Sequence, residues 1–415
     1  MLEFPIAQTR DRFPALSRQI DGRPAVFFDG PAGSQTPREV IATVSRYLEQ
    51  HNANVGGAFQ TSVESDEMIE QARRALADFL GMGDPDTIVF GANMTSLTFM
   101  LSRALESTWQ AGDEILVTRL DHDANVTPWA LAAQRAGANV QHIGINPEDC
   151  TLDLDDFTAK LSKRTRLVAI GAASNLVGTI NPIAEISRRA HEVGALVFVD
   201  AVHYAPHRLI DFEAWDCDLL ACSAYKFFGP HIGILTGRKN LLDELPTGHL
   251  RPVHDRTPDR WMHGTQNHEG IAGAAAAVDY LAGLGRDLAS KDLSRRESLR
   301  AAFCAIETHE TSLCKQMLEG LRSLRDIRVW GIIDPDRGDQ RTPTVSFTHA
   351  RLASPKVASF LGEHGIFSWE GNSYALPLTE ALDLEPDGVV RVGLLHYNTA
   401  EEVDRLIETL ATLPA

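Results

Sequence analysis

Apolar and polar positions along this chain alternate between two styles. Short apolar runs, "TIVF", "EILVT", "RLVAIGA", "ALVFVDA" and "LLACSA", suit strands covered on both faces. Helical periodicity lies between them. In "DEMIEQARRALADFL" the residues Met68, Ile69, Ala72, Ala75, Leu76, Phe79 and Leu80 fall on one face, and Gly81 ends the helix. "IAEISRRAHEV" is a second helix, closed by Gly194 and followed at once by a strand. This alternation predicts an α/β fold with a mostly parallel sheet between helices.

The pattern stops between Leu245 and Gly270, a stretch rich in Pro and His and poor in apolar residues. A structureless segment of that length in a compact protein is usually functional or disordered. "IAGAAAAVDYLAGLG" then predicts a helix, and a charged helical stretch follows around 290–325. "IRVWGII", "TPTVSFTH" and "VVRVGLL" predict strands mixed with helices, a smaller α+β unit. Thr399 and Glu402 form a T-x-x-E capping box ahead of Val403, Leu406, Ile407 and Leu410, which marks the last helix. The expected division is an N-terminal arm over 1–25 packing with the small domain, a large domain over 26–285 and a small C-terminal domain over 286–415.

Composition narrows the function. The chain has 415 residues, 44% hydrophobic and 23% charged, with a net charge of −17. That acidity argues against a general binder of nucleic acid or anionic membrane. "MLEFPIAQTR" lacks the apolar core of a secretory signal, and no apolar run reaches the roughly 18 residues of a membrane span. The five cysteines are scattered and form no CxxC pair, so a reducing cytoplasm is expected.

Candidate chemistry collects where the strands end, because open parallel sheets bind ligands beyond their carboxyl edges. "TIVF" leads to Thr95 and Ser96 at a helix start. "EILVT" leads through "RLDHDAN" to His122, and "RLVAIGA" leads to Asn175. "ALVFVD" ends in Asp200 with His203 close behind, and "LLACS" ends in Ser223 followed by Lys226. A lysine at the end of a buried strand is unusual company for an amine.

Together these groups suit pyridoxal 5'-phosphate. A partly desolvated lysine can form a Schiff base with the aldehyde. A carboxylate beside the pyridine nitrogen keeps the ring able to accept electrons. An imidazole can stack on the ring, and a helix start can hold the phosphate. Taken singly, each residue also has a plain structural reading; the joint arrangement is what favours the cofactor. Elsewhere, "HYAPH" spaces His203 and His207 like a metal pair, but Pro206 predicts a loop there, and no metal site is assigned.

The chain resembles the class V aminotransferase family, in particular its cysteine desulfurase and selenocysteine lyase branch. The motifs "VFFDGPAGSQTP", "NANV", "DHDANVTPW", "SNLVGTINPI", "VDAVHYAPH", "SAYKFFGPHIGIL" and "HYNTAEEVDRL" come in the family's order. The resemblance implies the type I fold of pyridoxal-phosphate-dependent transferases and a homodimer with active sites at the interface. It implies that Lys226 carries the cofactor and moves the substrate's α-proton. Asp200 would pair with the pyridine nitrogen, and His122 would stack on the ring. Asn175 and His203 would lie near the phenolic oxygen. Thr95, Ser96, Ser223 and Tyr225 would bind phosphate, with Thr265 reaching in from a second subunit. Arg391 would grip the carboxylate of a small amino-acid substrate, with Ala32, Asn54 and Tyr374 beside it.

The chain departs from the desulfurase pattern in one loop. Such enzymes carry a loop like "RTGHHCAxPL"; here the stretch is "WEGNSYALPL", with Tyr374 where the cysteine stands and Trp369 where the arginine stands. A phenol cannot accept sulfur as a thiolate does. In "NANVGGAFQ", where desulfurases show "HRGxH", Gly56 and Gly57 remove bulk and charge. The expected activity is therefore a β-elimination lyase or an aminotransferase. The alternatives are an epimerase, a desulfurase using a different thiol, or a non-catalytic binder of the cofactor.

Overall fold

The computed structural model describes residues 4–289 and 292–414. A sheet of seven strands forms its centre: β1 (Val89–Gly91), β2 (Glu114–Thr118), β3 (Asn139–Ile143), β4 (Thr165–Gly171), β5 (Leu196–Asp200), β6 (Leu219–Ser223) and β7 (Gly233–Gly237). Their order is β1-β7-β6-β5-β4-β2-β3. The pairs β3–β2, β2–β4, β4–β5 and β5–β6 are parallel, whereas β7 runs antiparallel to β6 and β1. The apolar runs are explained by burial on both faces. Leu116, Val168, Val199 and Leu220 face one packed layer, and Ile115, Ala169, Phe198 and Leu219 face the other.

Helices cover both faces. α1 (Gln60–Leu80) begins six positions before the expected Asp66, because Ser62 and Ser65 are buried and hydrogen-bonded and so extend the packed face into a polar-looking stretch. It ends at Gly81 in the left-handed region (φ 70°), as a glycine allows. α2 (Met94–Glu106), α3 (Thr127–Ala136) and α4 (Ile183–Glu192) connect successive strands. The stretch 245–270 is long but tied down. Arg260 donates to the carbonyl of Leu245 (2.9 Å), and the buried Trp261 indole donates to Leu242 O (3.0 Å). α5 (His268–Ala289) follows, starting three residues ahead of the apolar run.

α6 (Arg295–Ser323) packs along α5 and leads to a second, antiparallel sheet. Its strands are β8 (Ile327–Trp330), β9 (Thr344–His349), β10 (Trp369–Gly371) and β11 (Val389–Gly393), in the order β8-β9-β11-β10. α7 (Ala400–Ala411) closes the fold, and the Thr399–Glu402 capping box is formed in both directions. The N-terminal segment reaches this unit. Arg10 donates to Tyr397 O (2.6 Å) and pairs with Glu402 (2.8 Å), while residues 26–27 run parallel to 366–367. Phe13 also packs edge-on against Phe228 and Tyr280, so the arm touches residues preceding α6 as well. No helix of the described residues is long and apolar enough to cross a membrane.

Candidate functional site

The carboxyl ends of β2, β4, β5 and β6 open into a cavity of about 660 Å³. Every cofactor residue expected from the sequence lines it except Thr265. Lys226 lies in the turn directly after β6, which carries its amine back under the sheet edge; the residue is 8% exposed, and its Nζ donates to Pro31 O. Burial, with the Arg391 guanidinium adding to it, draws that amine down to about 7. The lowered basicity favours the neutral amine, the form that attacks an aldehyde.

Asp200 ends the neighbouring strand β5. Its carboxyl accepts from Val202 N (2.9 Å), and burial pushes it up to about 6. His122 sits after β2. The backbone N–H of Ala124 donates to its Nδ1 (3.0 Å), which places the ring proton on Nε2. Burial, then Lys226 and Arg391, draw its imidazole down to about 4, so it is neutral. Tyr374 stacks on its outer side with ring centres 5.3 Å apart.

The end where a phosphate would sit is built by α2. Asn93 caps that helix through Ser96 N (2.9 Å), and Met94 N donates to Ser223 Oγ (2.9 Å). Gly233 makes this possible: a Cβ there would lie 2.4 Å from the Asn93 carbonyl carbon. Thr95 and Ser96 remain exposed to the cavity at the positive end of the helix. Tyr225 stacks flat on His231, a cavity residue the sequence reading did not single out.

At the opposite side, Asn175 Nδ2 donates to Ser373 O (2.8 Å) and leaves its Oδ1 without a partner. His203 Nε2 meets the hydroxyls of Thr344 (2.9 Å) and Thr342 (3.3 Å), and its Nδ1 is likewise unpartnered. Buried polar atoms of this kind are costly unless a ligand completes them. Arg391 lies on β11, 5% exposed, with one nitrogen donating to Asn175 O (2.8 Å) and its Nε free. It is a buried group and not a surface charge. Among the described residues no carboxylate lies within ion-pair distance of it, although Asp29 is near enough for the guanidinium to lower its carboxyl against the burial that raises it to about 6.

Within one chain Asn54, Ala32 and Thr265 (the last expected from a second subunit) do not line the cavity, and neither do Tyr374 and Arg391, which border it through His122 and Asn175. Thr265 is exposed and lines an adjoining cleft of about 930 Å³ that shares Ser96 and His231 with the cavity. Asn54 is exposed and lines another cleft, its carbonyl engaged by Ser62. Ala32 does not line the cavity; its N–H closes a turn on Asp29 O (2.8 Å) beside Pro31. Asn54 and Thr265 lie on loops away from the strand ends, whereas Ala32 adjoins Pro31, whose carbonyl Lys226 engages. Conversely, Asp121 was passed over although it directly precedes His122 after a strand. It lines the cavity and is 3% exposed.

The donor set fits pyridoxal phosphate: a buried amine of lowered basicity, a carboxyl on the next strand, a neutral imidazole, a helix start and two orphaned polar atoms. The model of the class V aminotransferases matches residues 26–406. The chain belongs to that family. Class V aminotransferases are pyridoxal-phosphate-dependent enzymes, and this member has the type I fold. It is 33% identical to a cysteine desulfurase of Enterobacter sp. (strain 638), covering 99% of this chain and 98% of that one. It is 32% identical to a probable cysteine desulfurase of Synechocystis sp. over 97% and 94%. Among solved structures, the apo cysteine desulfurase of Thermococcus onnurineus NA1 superposes with a TM-score of 0.88 at 27% identity, covering 100% of this chain and 98% of the other. The cysteine desulfurase CsdA of Escherichia coli gives 0.83, also at 27%, over 99% and 98%.

Proposed function

We propose that this class V enzyme acts on a small amino acid as a β-elimination lyase or an aminotransferase, without passing sulfur through a loop thiol. The observation that carries the amino-acid reading is Arg391, a buried guanidinium with no ion-pair partner among the described residues, close enough to Lys226 to lower its basicity. A buried unpaired cation is costly, and a substrate carboxylate in a two-pronged bond would satisfy it. A protein that only stored the cofactor would have no use for that clamp.

The bound cofactor supplies an electron sink for the substrate's α-carbon. The protein groups do the rest. Lys226 would hold the aldehyde and, as a neutral amine, would be placed to take the α-proton. Asp200 would face the ring nitrogen, His122 would cover one ring face and keep water from it, and His203 would offer its unpartnered Nδ1 toward the ring's oxygen, while the free Asn175 Oδ1 could accept from a donor of the bound molecules. A leaving group on the β-carbon would be expelled in elimination; without one, a proton given by Lys226 to the carbon that came from the aldehyde would give amino transfer, and one returned to the α-carbon would give epimerisation.

The loop itself offers no thiol for sulfur transfer. Residues 369–378 contain no cysteine, and Tyr374 occupies the middle of that loop. Burial pushes the thiols of Cys150, Cys217, Cys222 and Cys314 up, Cys150 to about 11, so they stay protonated. A homodimer suits the exposed Thr265 and the cleft beside the cavity, and the five free thiols suit a reducing cytoplasm.

The test is a screen of the purified holoprotein against amino acids and β-substituted analogues, scoring spectral change, keto acid and sulfide. Keto acid release with one amino acid supports the reading. Persulfide on the protein after cysteine treatment, or a spectrum that no amino acid moves, would overturn it.

A further inference from the structure

Asp121 carries more structure than its place beside His122 requires. Its Oδ1 accepts the backbone N–H of Gly171, the last residue of β4, at 2.6 Å. Gly171 in turn is the register partner of Asp200 on β5. Its Oδ2 accepts from Asn125 Nδ2 (3.3 Å), and Asn125 Oδ1 accepts from the Trp129 indole (3.0 Å). One side chain thus joins the end of β4, the turn over 121–125 that holds His122, and the start of α3. The fit leaves no slack, since a Cβ on Gly171 would lie 2.5 Å from Asp121 Oδ1.

We propose that Asp121 is a positioning residue of the cofactor site, tying the His122 turn to the strand that lies beside Asp200, so that imidazole and carboxylate keep a fixed spacing across the ring. This rests on the reading of the cavity as the pyridoxal phosphate site. Its charge state agrees with the role. Burial, with the charge of Asp200 adding to it, pushes the Asp121 carboxyl up to about 8. The tie is then made by a neutral acid near pH 7, and no second anion faces Asp200. Lys226, Arg391, His122, His203, Tyr225 and Cys222 are the other titratable and charged groups around the pair.

The test compares Asp121→Ala, Asp121→Asn and Gly171→Ala by equilibrium dialysis with pyridoxal phosphate, visible circular dichroism of the bound cofactor, and thermal unfolding. Asp121→Ala is expected to weaken cofactor binding by about tenfold and to change the dichroism, the loss of roughly one buried hydrogen bond at the site. Gly171→Ala, which displaces the carboxylate without removing it, is expected to do the same. Asp121→Asn keeps an oxygen for Gly171 N–H and is expected to stay within about threefold of the parent. Unchanged affinity and dichroism in both alanine variants, even with a lower melting temperature, would refute the proposal. So would an asparagine variant as impaired as Asp121→Ala, since charge rather than the tie would then matter. A parent protein that takes up no pyridoxal phosphate would instead remove the underlying site reading.

Discussion

The Arg391 guanidinium acts on the Lys226 amine: after burial itself, it is the largest influence drawing that amine down to about 7. The two residues come from different sheets, β11 and the turn after β6, so the chemistry depends on how those sheets meet. Arg391→Ala is expected to raise the Lys226 pKa, because removing a neighbouring cation favours the protonated amine. The rate of cofactor capture by the cofactor-free protein would then move to higher pH. Amino-acid affinity is expected to fall by about 2 kcal/mol, roughly thirtyfold, with cofactor content nearly unchanged. Equal loss of cofactor would contradict the assigned role.

Lys226→Ala is expected to abolish the visible absorbance that covalently held cofactor gives the parent, together with all turnover. The helix start and Asp200 remain, so dialysis should still detect cofactor bound without a covalent bond. Retention of the parental spectrum would place the reactive amine elsewhere.

The buried imidazole of His122 predicts acid sensitivity. Its folded pKa, about 4, lies below the ordinary value of 6.5, so on acidification the unfolded chain takes up a proton that the folded chain refuses. The stability it contributes is present above pH 6.5 and lost as pH falls toward 4, in total about 3 kcal/mol. Asp29 and Asp200, whose carboxyls are raised to about 6, work in the opposite sense across much of that window. Urea unfolding of the cofactor-free parent against His122→Phe isolates the imidazole: the parent should lose more stability than the variant between pH 6.5 and 4. Parallel curves would disprove it.

Much of this site was readable from where strands stop. Asp200, Ser223 and Lys226 follow apolar runs, and a parallel sheet delivers such residues to one edge. Asp121 obeys the same rule, yet a carboxyl beside a ring-stacking histidine reads as turn polarity until its partners on β4 and α3 are known. The strand β7 was not foreseen, because "GILTG" is short, bounded by glycines and antiparallel, and so lacks the helix that announces its neighbours. Asn54 and Thr265 could not be located by physical pattern at all, since their loops carry no periodicity. α1 began early because buried serines satisfy themselves locally and look like surface in a sequence.

The loop that stacks on His122 holds two consecutive non-glycine residues in the left-handed region, Ser373 (φ 50°) and Tyr374 (φ 60°). Their carbonyls are held by Asn175 and by Asp123 N (2.7 Å). Ser373→Gly relieves one of these positions without removing its carbonyl and should raise stability by up to about 1 kcal/mol. Tyr374→Ala removes the ring against His122 and is expected to raise KM for the amino acid with cofactor content unchanged. Thermal melts and steady-state kinetics check the pair; a destabilised Ser373→Gly would show that the backbone there is not strained.

The bond from Arg10 to Tyr397 spans 387 positions of sequence, and residues 26–27 find their strand partner only at 366–367. Those two pairings can therefore form only after nearly all of the intervening chain exists, whereas Phe13 can settle on Phe228 and Tyr280 earlier, so the segment is anchored in two stages.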